Sequence, residues 1–334
     1  MDSELDELFR LIDRLADGRR WDDLRALYDR LDDAHGRTDP PASQEEVQGD
    51  YDLRYTLTWI GRLMAERGTP RHAVHIVTRE YEESRREARD LHEALAMRRW
   101  DELDEHLTHR GLRHLVAHSQ VLRGADLSGV AGLDTAVFAG VPFALQPWER
   151  ACWRPDQHMR DFSWRGSGGG TMAYFPDDAQ ELTVPIVSAG DTPLRAEPVA
   201  GILDSHWIEG PITVHGTAWE AAARVMAAAP GSPADQYGAP IDFVDAYPAL
   251  LAVAGGNAAY GQWSEARGRI AVWRLLARIG GLAEPVDIGA LAGVVARLRC
   301  VAWRRPDDEI WFIHLAIEDP LSGLTWVLDG QDFD

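Results

Sequence analysis

Lysine is absent from this sequence, so all 34 of its basic side chains are arginine. A chain without lysine forms no Schiff base and does not hold pyridoxal phosphate covalently. It also lacks the lysine with which P-loop proteins and protein kinases grip nucleotide phosphates. These enzyme classes are therefore excluded in their usual forms, and the cofactor, if there is one, stays unknown at this stage.

Cysteine is nearly as scarce, since the chain contains only Cys152 and Cys300, far apart and outside any C-x-x-C motif. This spacing excludes a disulfide framework and a thiolate metal cage, and we expect two reduced, packed thiols rather than one long-range disulfide. The acidic N-terminus lacks the basic and apolar regions of a signal peptide. No apolar run reaches the length of about 18 residues that a membrane helix needs. We therefore expect a cytoplasmic protein.

Positive charge is in short supply as well. The 54 acidic residues outweigh the basic ones and give a formal net charge of −20. Nucleic acids and anionic membranes are bound through clustered cationic side chains, which a surface this acidic opposes. We therefore expect neither nucleic acid nor membrane as a partner. Hydrophobic residues make up 45% of the chain, which is enough to build a full core.

The first part of the chain has helical periodicity. Apolar residues recur at helical spacing through residues 3–35, 51–66 and 70–96. The segments 15–27 and 94–107 also resemble each other, because each places a tryptophan after Arg-Arg and before an acidic pair. The pattern predicts an all-helical domain over residues 1–120, built like a helix-hairpin repeat. A chance likeness between two amphipathic helices is the alternative.

Composition changes after residue 120, where glycine, proline and valine become frequent. The pattern predicts an α+β domain over residues 121–334 whose antiparallel strands end in a C-terminal β-meander. The predicted strands cover residues 136–145, 170–175, 182–187, 200–208, 211–216, 298–303, 309–317 and 324–330. Capping residues and apolar spacing predict helices after Thr217, over 242–254 and 264–280, and from Asp287 to about residue 296.

Two C-terminal runs are distinctive: AGGNAAYGQWSEARGRIAVWRLLARIGGL, and EIWFIHLAIEDPLSGLTWVLDGQDFD. With their Ala-Tyr-Gly segment, Trp-containing helix and Trp-rich terminal hairpin, they resemble an uncharacterised actinobacterial protein family. The resemblance covers residues 240–334 and extends to the AGVPFAL segment. It implies an actinobacterial origin and supplies neither an activity nor catalytic residues.

A Gly-rich stretch, Trp164–Thr171, is the first candidate site. Successive glycines let backbone N–H groups turn toward an anion, and alternating arginine and tryptophan side chains upstream form a flat cationic surface. The predicted ligand-binding residues are Arg150, Trp153, Arg154, His158, Trp164, Arg165, Gly168, Gly169 and Thr171. A flexible loop beside ordinary aromatic packing is the alternative interpretation.

A second candidate site combines histidines with a carboxylate. Alternation along a strand places Asp204 and His206 on one side, and His215 follows before the next helix. A His–carboxylate pair of this kind performs acid–base chemistry near neutral pH. We therefore name these three residues as candidate catalytic groups, with a satisfied surface pair as the alternative.

Two further features carry weaker signals. His114 and His118 share one helix face, but the glutamate base of an H-E-x-x-H zinc enzyme is missing, so we predict solvated or capping histidines and no metal site. Asn257 is the only asparagine in the chain. Because asparagine tolerates positive φ, we place Asn257 in a turn and include it among the ligand-binding residues.

Two functions follow from these features. The first is a binding protein whose N-terminal helices dock a protein partner and whose second domain takes an anionic or aromatic small molecule. The second is a lysine-independent enzyme of specialised metabolism that uses Arg, His and carboxylate residues near the Gly-rich loop. The lack of catalytic motifs favours the binding protein, and the sequence alone leaves enzymatic activity open.

Overall fold

A computed structural model describes residues 2–35, 44–82, 91–149, 180–181, 208–228, 237–256, 264–305 and 311–332. The chain divides into two compact units, Met1–Gln120 and Val121–Asp334. The first contains helices, and the second combines helices with one antiparallel sheet. The predicted α+β class is therefore confirmed. None of the described helices combines the length and the apolar character needed to cross a membrane.

The described part of the first unit contains seven helices. They are α1 (Asp2–Asp17), α2 (Trp21–His35), α3 (Gln44–Arg67), α4 (Pro70–Glu82), α5 (Leu91–Leu95), α6 (Trp100–Leu103) and α7 (Arg110–Leu122). Each longer helix turns an apolar stripe inward, and side chains such as Ile12, Leu24 and Ile60 are fully buried in one core. The helical pattern predicted through residues 3–35, 51–66 and 70–96 corresponds to α1 to α5, whereas α6 and α7 lie beyond the last predicted segment.

The repeated Arg-Arg-Trp segment forms a similar turn at both places. In each copy a helix ends, two arginines follow, and the tryptophan begins the next helix, at Trp21 for α2 and Trp100 for α6. The arginine before each tryptophan bonds an aspartate of the new helix, Asp23 in one copy and Asp101 in the other. The likeness ends there, because α2 has 15 residues and α6 has only 4.

The second unit is organised around a six-stranded sheet. Its strands are β1 (Gln180–Glu181), β2 (Ile208–His215), β3 (Tyr237–Ile241), β4 (Arg299–Arg304), β5 (Trp311–Asp319) and β6 (Leu324–Asp332). Their order is β1-β3-β4-β5-β6-β2, and every neighbouring pair is antiparallel. The last three strands form the predicted β-meander.

Helices cover both faces of this sheet. They are α8 (Ala218–Ala228), α9 (Phe243–Ala254), α10 (Glu265–Ile279) and α11 (Ile288–Val295). Helix α8 packs on one face, against Val301, Ala316 and Val327. Helix α9 packs against β4 and β5. Helix α9 lies on the opposite face. Val301 faces α8, so the preceding residue Cys300 points to the other face, and Asp242 at the start of α9 is close enough to Cys300 to act on it electrostatically.

The predicted helix caps in this unit are confirmed. Thr217 and Glu220 form a reciprocal capping box, with backbone N–H to side-chain oxygen distances of 3.0 and 3.2 Å. Ser264 Oγ accepts from the Arg267 N–H at 3.2 Å, and Asp287 Oδ1 accepts from the Ala290 N–H at 2.7 Å. Each side chain satisfies a helix N-terminal donor that has no partner inside its helix.

One predicted strand, residues 136–145, is wrong. A short 3-10 helix (Thr135–Phe138) is followed there by turns, and Ala139 and Gly140 both have positive φ. A Cβ on Gly140 would lie 2.8 Å from the backbone nitrogen of Val286, so only glycine fits this position. Conversely, β3 contains Pro240 and lies in a segment for which the sequence predicts no strand.

Strand β2 is irregular. Its register against β6 shifts between Glu209 and Ile212, so β2 has one more residue there than its partner, as in a β-bulge. Gly210 and Pro211 occupy this shift. Among the described strands, β2 lies at the edge of the sheet, where proline is tolerated because one side of the strand makes no ladder bonds.

Candidate functional site

Most residues of the predicted sites lie outside the described part of the chain. This holds for Asp204 and His206, for Asn257, and for the whole ligand-binding set Arg150, Trp153, Arg154, His158, Trp164, Arg165, Gly168, Gly169 and Thr171. His215 is described: it ends β2, is exposed and pairs with Leu324. The predicted grouping of these residues therefore stays a prediction.

The interpretation of His114 and His118 as solvated is wrong, because both are buried in α7 with relative exposures of 0% and 1%. The Nδ1 atom of His114 lies 2.7 Å from the backbone oxygen of Arg110, one turn earlier in the helix. The residue before α7, His109, caps this helix, because its Nδ1 accepts from the Leu112 N–H. The described residues contain no cluster of three or more side chains suited to a metal ion.

A set of polar and aromatic side chains lies together on the α8 face of the sheet. We call it the polar patch, and it consists of Trp303, Arg305, Phe312, His314, Asp329 and Gln331. Alternation places these residues on one face with Ala316 and Val327, which pack under α8. Helix α8 covers the apolar part of this face, and the polar patch lies next to that part, further along the same strands.

Strand register brings the members of the polar patch together. His314 on β5 pairs directly with Asp329 on β6, and Phe312 pairs with Gln331. Ala302 pairs with Leu315, so the next positions along, Trp303 and His314, lie side by side on neighbouring strands. The turn after Asp319 fixes this register, because Asp319 pairs with Leu324 across four residues.

Asp329 is the centre of the hydrogen bonding in the polar patch. His314 Nδ1 lies 2.6 Å from Asp329 Oδ1, and Arg305 Nη2 donates to both carboxylate oxygens at 2.8 and 2.6 Å. Burial alone would raise the pKa of Asp329. The hydrogen bond and charge of His314, together with the guanidinium of Arg305, outweigh burial and hold this pKa below its usual value.

Aromatic rings enclose His314, whose side chain is fully buried. The Trp303 ring stacks on it with a centroid distance of 5.6 Å, and the Phe312 ring does so at 5.7 Å. The polar atoms of the polar patch include Trp303 Nε1 and Gln331 Oε1, which are buried and have no hydrogen-bond partner among the described residues. The polar patch therefore contains the His314 imidazole, which contacts Asp329, together with a buried donor on Trp303 and a buried acceptor on Gln331.

A second buried polar cluster surrounds Glu149. Its Oε1 accepts from Arg269 Nε and Trp273 Nε1, both at 2.7 Å, and from the Tyr247 hydroxyl at 3.1 Å. Its Oε2 accepts from Arg269 Nη2 at 2.8 Å and from the backbone N–H of Gln146 at 2.9 Å. Trp148 packs against Trp273 and Tyr247 beside it. Protein donors occupy both carboxylate oxygens, so this cluster ties the loop before residue 150 to α9 and α10.

The sequence analysis did not find the polar patch, although the sequence contains a signal for it. His314 stands within an apolar run of β5, between Ile313 and Leu315, and a four-residue turn separates β5 from β6. Counting back from that turn places His314 opposite Asp329. A histidine and an aspartate facing each other on buried strands form the unusual feature that a search for helical or motif spacing overlooks.

Fold and site together define an α+β protein whose sheet carries a buried histidine–aspartate–arginine cluster. A family-wide sequence profile, that of the family of unknown function DUF6183, matches residues 6–320, and the chain belongs to this family. The match spans nearly the whole chain, so the resemblance confined to the C-terminal third was too narrow. No curated protein and no solved structure matches the chain.

Proposed function

We propose that this protein binds a small planar molecule at the polar patch. The observation that carries this proposal is the indole N–H of Trp303, a fully buried residue, which has no acceptor among the described residues. Buried polar groups in native proteins are nearly always hydrogen-bonded, and leaving one unpaired costs about 1–3 kcal/mol. A bound ligand with an acceptor atom would remove that cost.

The position of Gln331 supports the same proposal. Its Oε1 is also buried without a described partner, and Gln331 pairs with Phe312, which stacks on His314. Other buried indole nitrogens lack described partners as well, but Trp326 Nε1 lies on the opposite face of the sheet, since Trp326 pairs with Ile317. In the polar patch, a donor and an acceptor of this kind lie on one face of the sheet together with His314.

The chemistry of the polar patch selects the ligand class. An indole N–H requires an acceptor, an amide oxygen requires a donor, and flat rings favour a flat molecule. The charges of Arg305 and Asp329 offset each other through their hydrogen bonds. Of the two ligand types expected from the sequence, an aromatic molecule with neighbouring donor and acceptor atoms therefore fits better than an anion.

The test uses simple probes with the full-length protein. Benzamide and uracil each carry a donor beside an acceptor on a flat ring, whereas toluene has neither polar atom. We expect saturation-transfer NMR to detect the first two and not toluene. Replacing Trp303 by Phe removes the N–H and should abolish the signal, and Trp326→Phe on the opposite face is the matched control that should retain it. Binding that survives Trp303→Phe, or no binding of either polar probe, contradicts the proposal.

Three earlier predictions stand beside this proposal. The two compact units support treating residues 1–120 and 121–334 as separate domains. Docking of a protein partner by the N-terminal helices stays a prediction, and so does the cytoplasmic location. Co-purification of a partner that is lost when the helices are deleted would support the docking role.

A further inference from the structure

We propose that His109 makes the start of α7 sensitive to mild acid: the first turn of this helix is closed at neutral pH and opens when His109 is protonated. The inference goes beyond the ligand site and does not rest on it, because it concerns the helical unit alone. Three observations carry it, namely the hydrogen bond that the imidazole accepts, the composition of the first turn of α7, and the packing of Tyr81 against that turn.

The cap of α7 fixes the protonation state of His109. Its Nδ1 atom lies 3.2 Å from the backbone nitrogen of Leu112, the third residue of the helix. A backbone N–H group only donates, so Nδ1 must accept through its lone pair, and the ring is neutral with its hydrogen on Nε2. A protonated imidazole has donors on both nitrogens and no acceptor. Protonation of His109 at Nδ1 therefore removes the cap.

The first turn of α7 has little else to stabilise it. It contains no acidic side chain, although negative charge is favoured at the positive end of the helix dipole. Gly111 lies in this turn, and glycine is a weak helix former. An imidazolium would also add a positive charge at the end of the helix where Arg110 already stands. Protonation thus removes a hydrogen bond and adds an unfavourable charge at the same place.

Tyr81 of α4 packs against the same turn. Its ring meets the His109 ring edge to face, with a centroid distance of 4.9 Å and an interplanar angle of 61°. A Cβ on Gly111 would lie 2.7 Å from the Tyr81 hydroxyl oxygen, so glycine permits this close approach. Opening of the first turn therefore also disrupts a contact between α4 and α7.

The neighbouring charged groups do not reproduce this response. The titratable and charged groups near His109 are Tyr81 on α4, Arg110, Arg113, His114 and His118 on α7, and Asp104, Glu105 and His106 in the segment before α7. Arg113 is paired with Asp104, at 2.5 Å between Nη2 and Oδ1. His106 lies 3.2 Å from the Glu105 carboxylate, a contact that protonation strengthens. His114 Nδ1 faces a backbone oxygen and therefore donates, so protonation of this ring leaves that bond intact.

Hydrogen exchange of the backbone amides tests the inference in the full-length protein. Mass spectrometry with peptide fragmentation follows the Leu112 amide at about pH 7.5 and about pH 5.5, on either side of the usual histidine titration, with correction for the intrinsic pH dependence of exchange. We expect its protection to fall by about fivefold at the lower pH, the size of effect that loss of an N-cap has on a helix.

The start of α11 is the control within the same molecule. Its cap is a carboxyl oxygen of Asp287, which remains an acceptor at both pH values, so the Ala290 amide should keep its protection. Unchanged protection at Leu112, or an equal fall at Leu112 and Ala290, overturns the inference.

Two variants assign the effect to one histidine. Asparagine is favoured at helix N-caps and does not titrate, so His109→Asn should retain the neutral-pH protection of Leu112 at both pH values. His106→Asn replaces the nearest other histidine along the chain and should leave the wild-type response intact. A response that persists in His109→Asn, or that disappears in His106→Asn, overturns the role of His109. If a variant does not fold, the comparison of α7 with α11 in the wild-type protein decides.

Discussion

Glu149 and Arg269 form an ion pair in which neither side chain has any exposed surface. The pair is embedded in further hydrogen bonds, because Arg269 also donates to the backbone oxygens of Pro142 at 2.8 Å and Ala144 at 3.1 Å. Two charges taken out of water are tolerated only when their remaining hydrogen-bonding capacity is met in this way. The pair therefore binds the loop before residue 150 firmly to α10.

The first prediction concerns that pair. Glu149→Gln leaves the guanidinium of Arg269 buried without its counter-charge, so the free energy of unfolding should fall by about 3–5 kcal/mol. Urea denaturation followed by circular dichroism measures this change. Glu284→Gln is the control, because it breaks the exposed pair Arg274–Glu284 and should cost less than about 1 kcal/mol. Equal losses in the two variants would contradict the role of burial.

The second prediction concerns the start of α11. Asp287→Ala removes the acceptor for the Ala290 N–H and should lower the free energy of unfolding by about 1 kcal/mol. Asp287→Asn retains an oxygen at the same position and should be nearly neutral. Thermal unfolding of the three proteins side by side measures both effects. A loss as large in the Asn variant as in the Ala variant would show that charge, not capping, matters at this position.

The third prediction follows from the lowered pKa of Asp329. A carboxyl whose pKa is lower in the folded state stabilises the protein above its unfolded pKa of about 3.9. That stabilisation is lost as the pH falls through the lower folded pKa, because protonation then costs the contacts to His314 and Arg305. The free energy of unfolding should therefore decrease with acid in this range, and Asp329→Asn should flatten the decrease. Acid titrations monitored by tryptophan fluorescence test this, with Glu284→Gln as the control that should keep the wild-type slope.

The fourth prediction concerns Cys300, a free thiol buried on the α9 face of the sheet. Burial, aided by the negative charge of Asp242, raises the pKa of Cys300 to about 12. The thiolate is the reactive form, so this thiol should resist alkylation at neutral pH. In a Cys152→Ser background, iodoacetamide should label the protein only after unfolding in guanidinium. Labelling of the native protein at the unfolded rate would contradict the burial.

Sequence reasoning located the elements whose signals are local. Capping residues such as Thr217 and Asp287 act on neighbouring backbone groups, and the turn between β5 and β6 has its own proline and glycine chemistry. These elements were therefore predicted within a few residues. The prediction for segment 136–145 was wrong because its apolar run is compatible with a strand, whereas the backbone turns at Ala139 and Gly140 beside Val286.

The polar patch shows where local signals end. His314 and Asp329 belong to separate strands, and their meaning depends on the pairing of those strands. Arg305, the residue directly after β4, also bonds Asp329, which adds the pairing of β4 with β5 to the problem. The buried cluster of Glu149 likewise joins positions more than a hundred residues apart. Such contacts become visible only when the register of the sheet is known.

The irregularity of β2 affects how the protein behaves at high concentration. An uninterrupted edge strand can pair through its free backbone groups with the sheet of another molecule, and fibrils and other aggregates grow by such pairing. The bulge at Glu209–Ile212 breaks the even spacing of those groups, and Pro211 removes one donor from the strand. This edge is therefore a poor template for a second copy of the chain, and straightening it would expose the protein to aggregation.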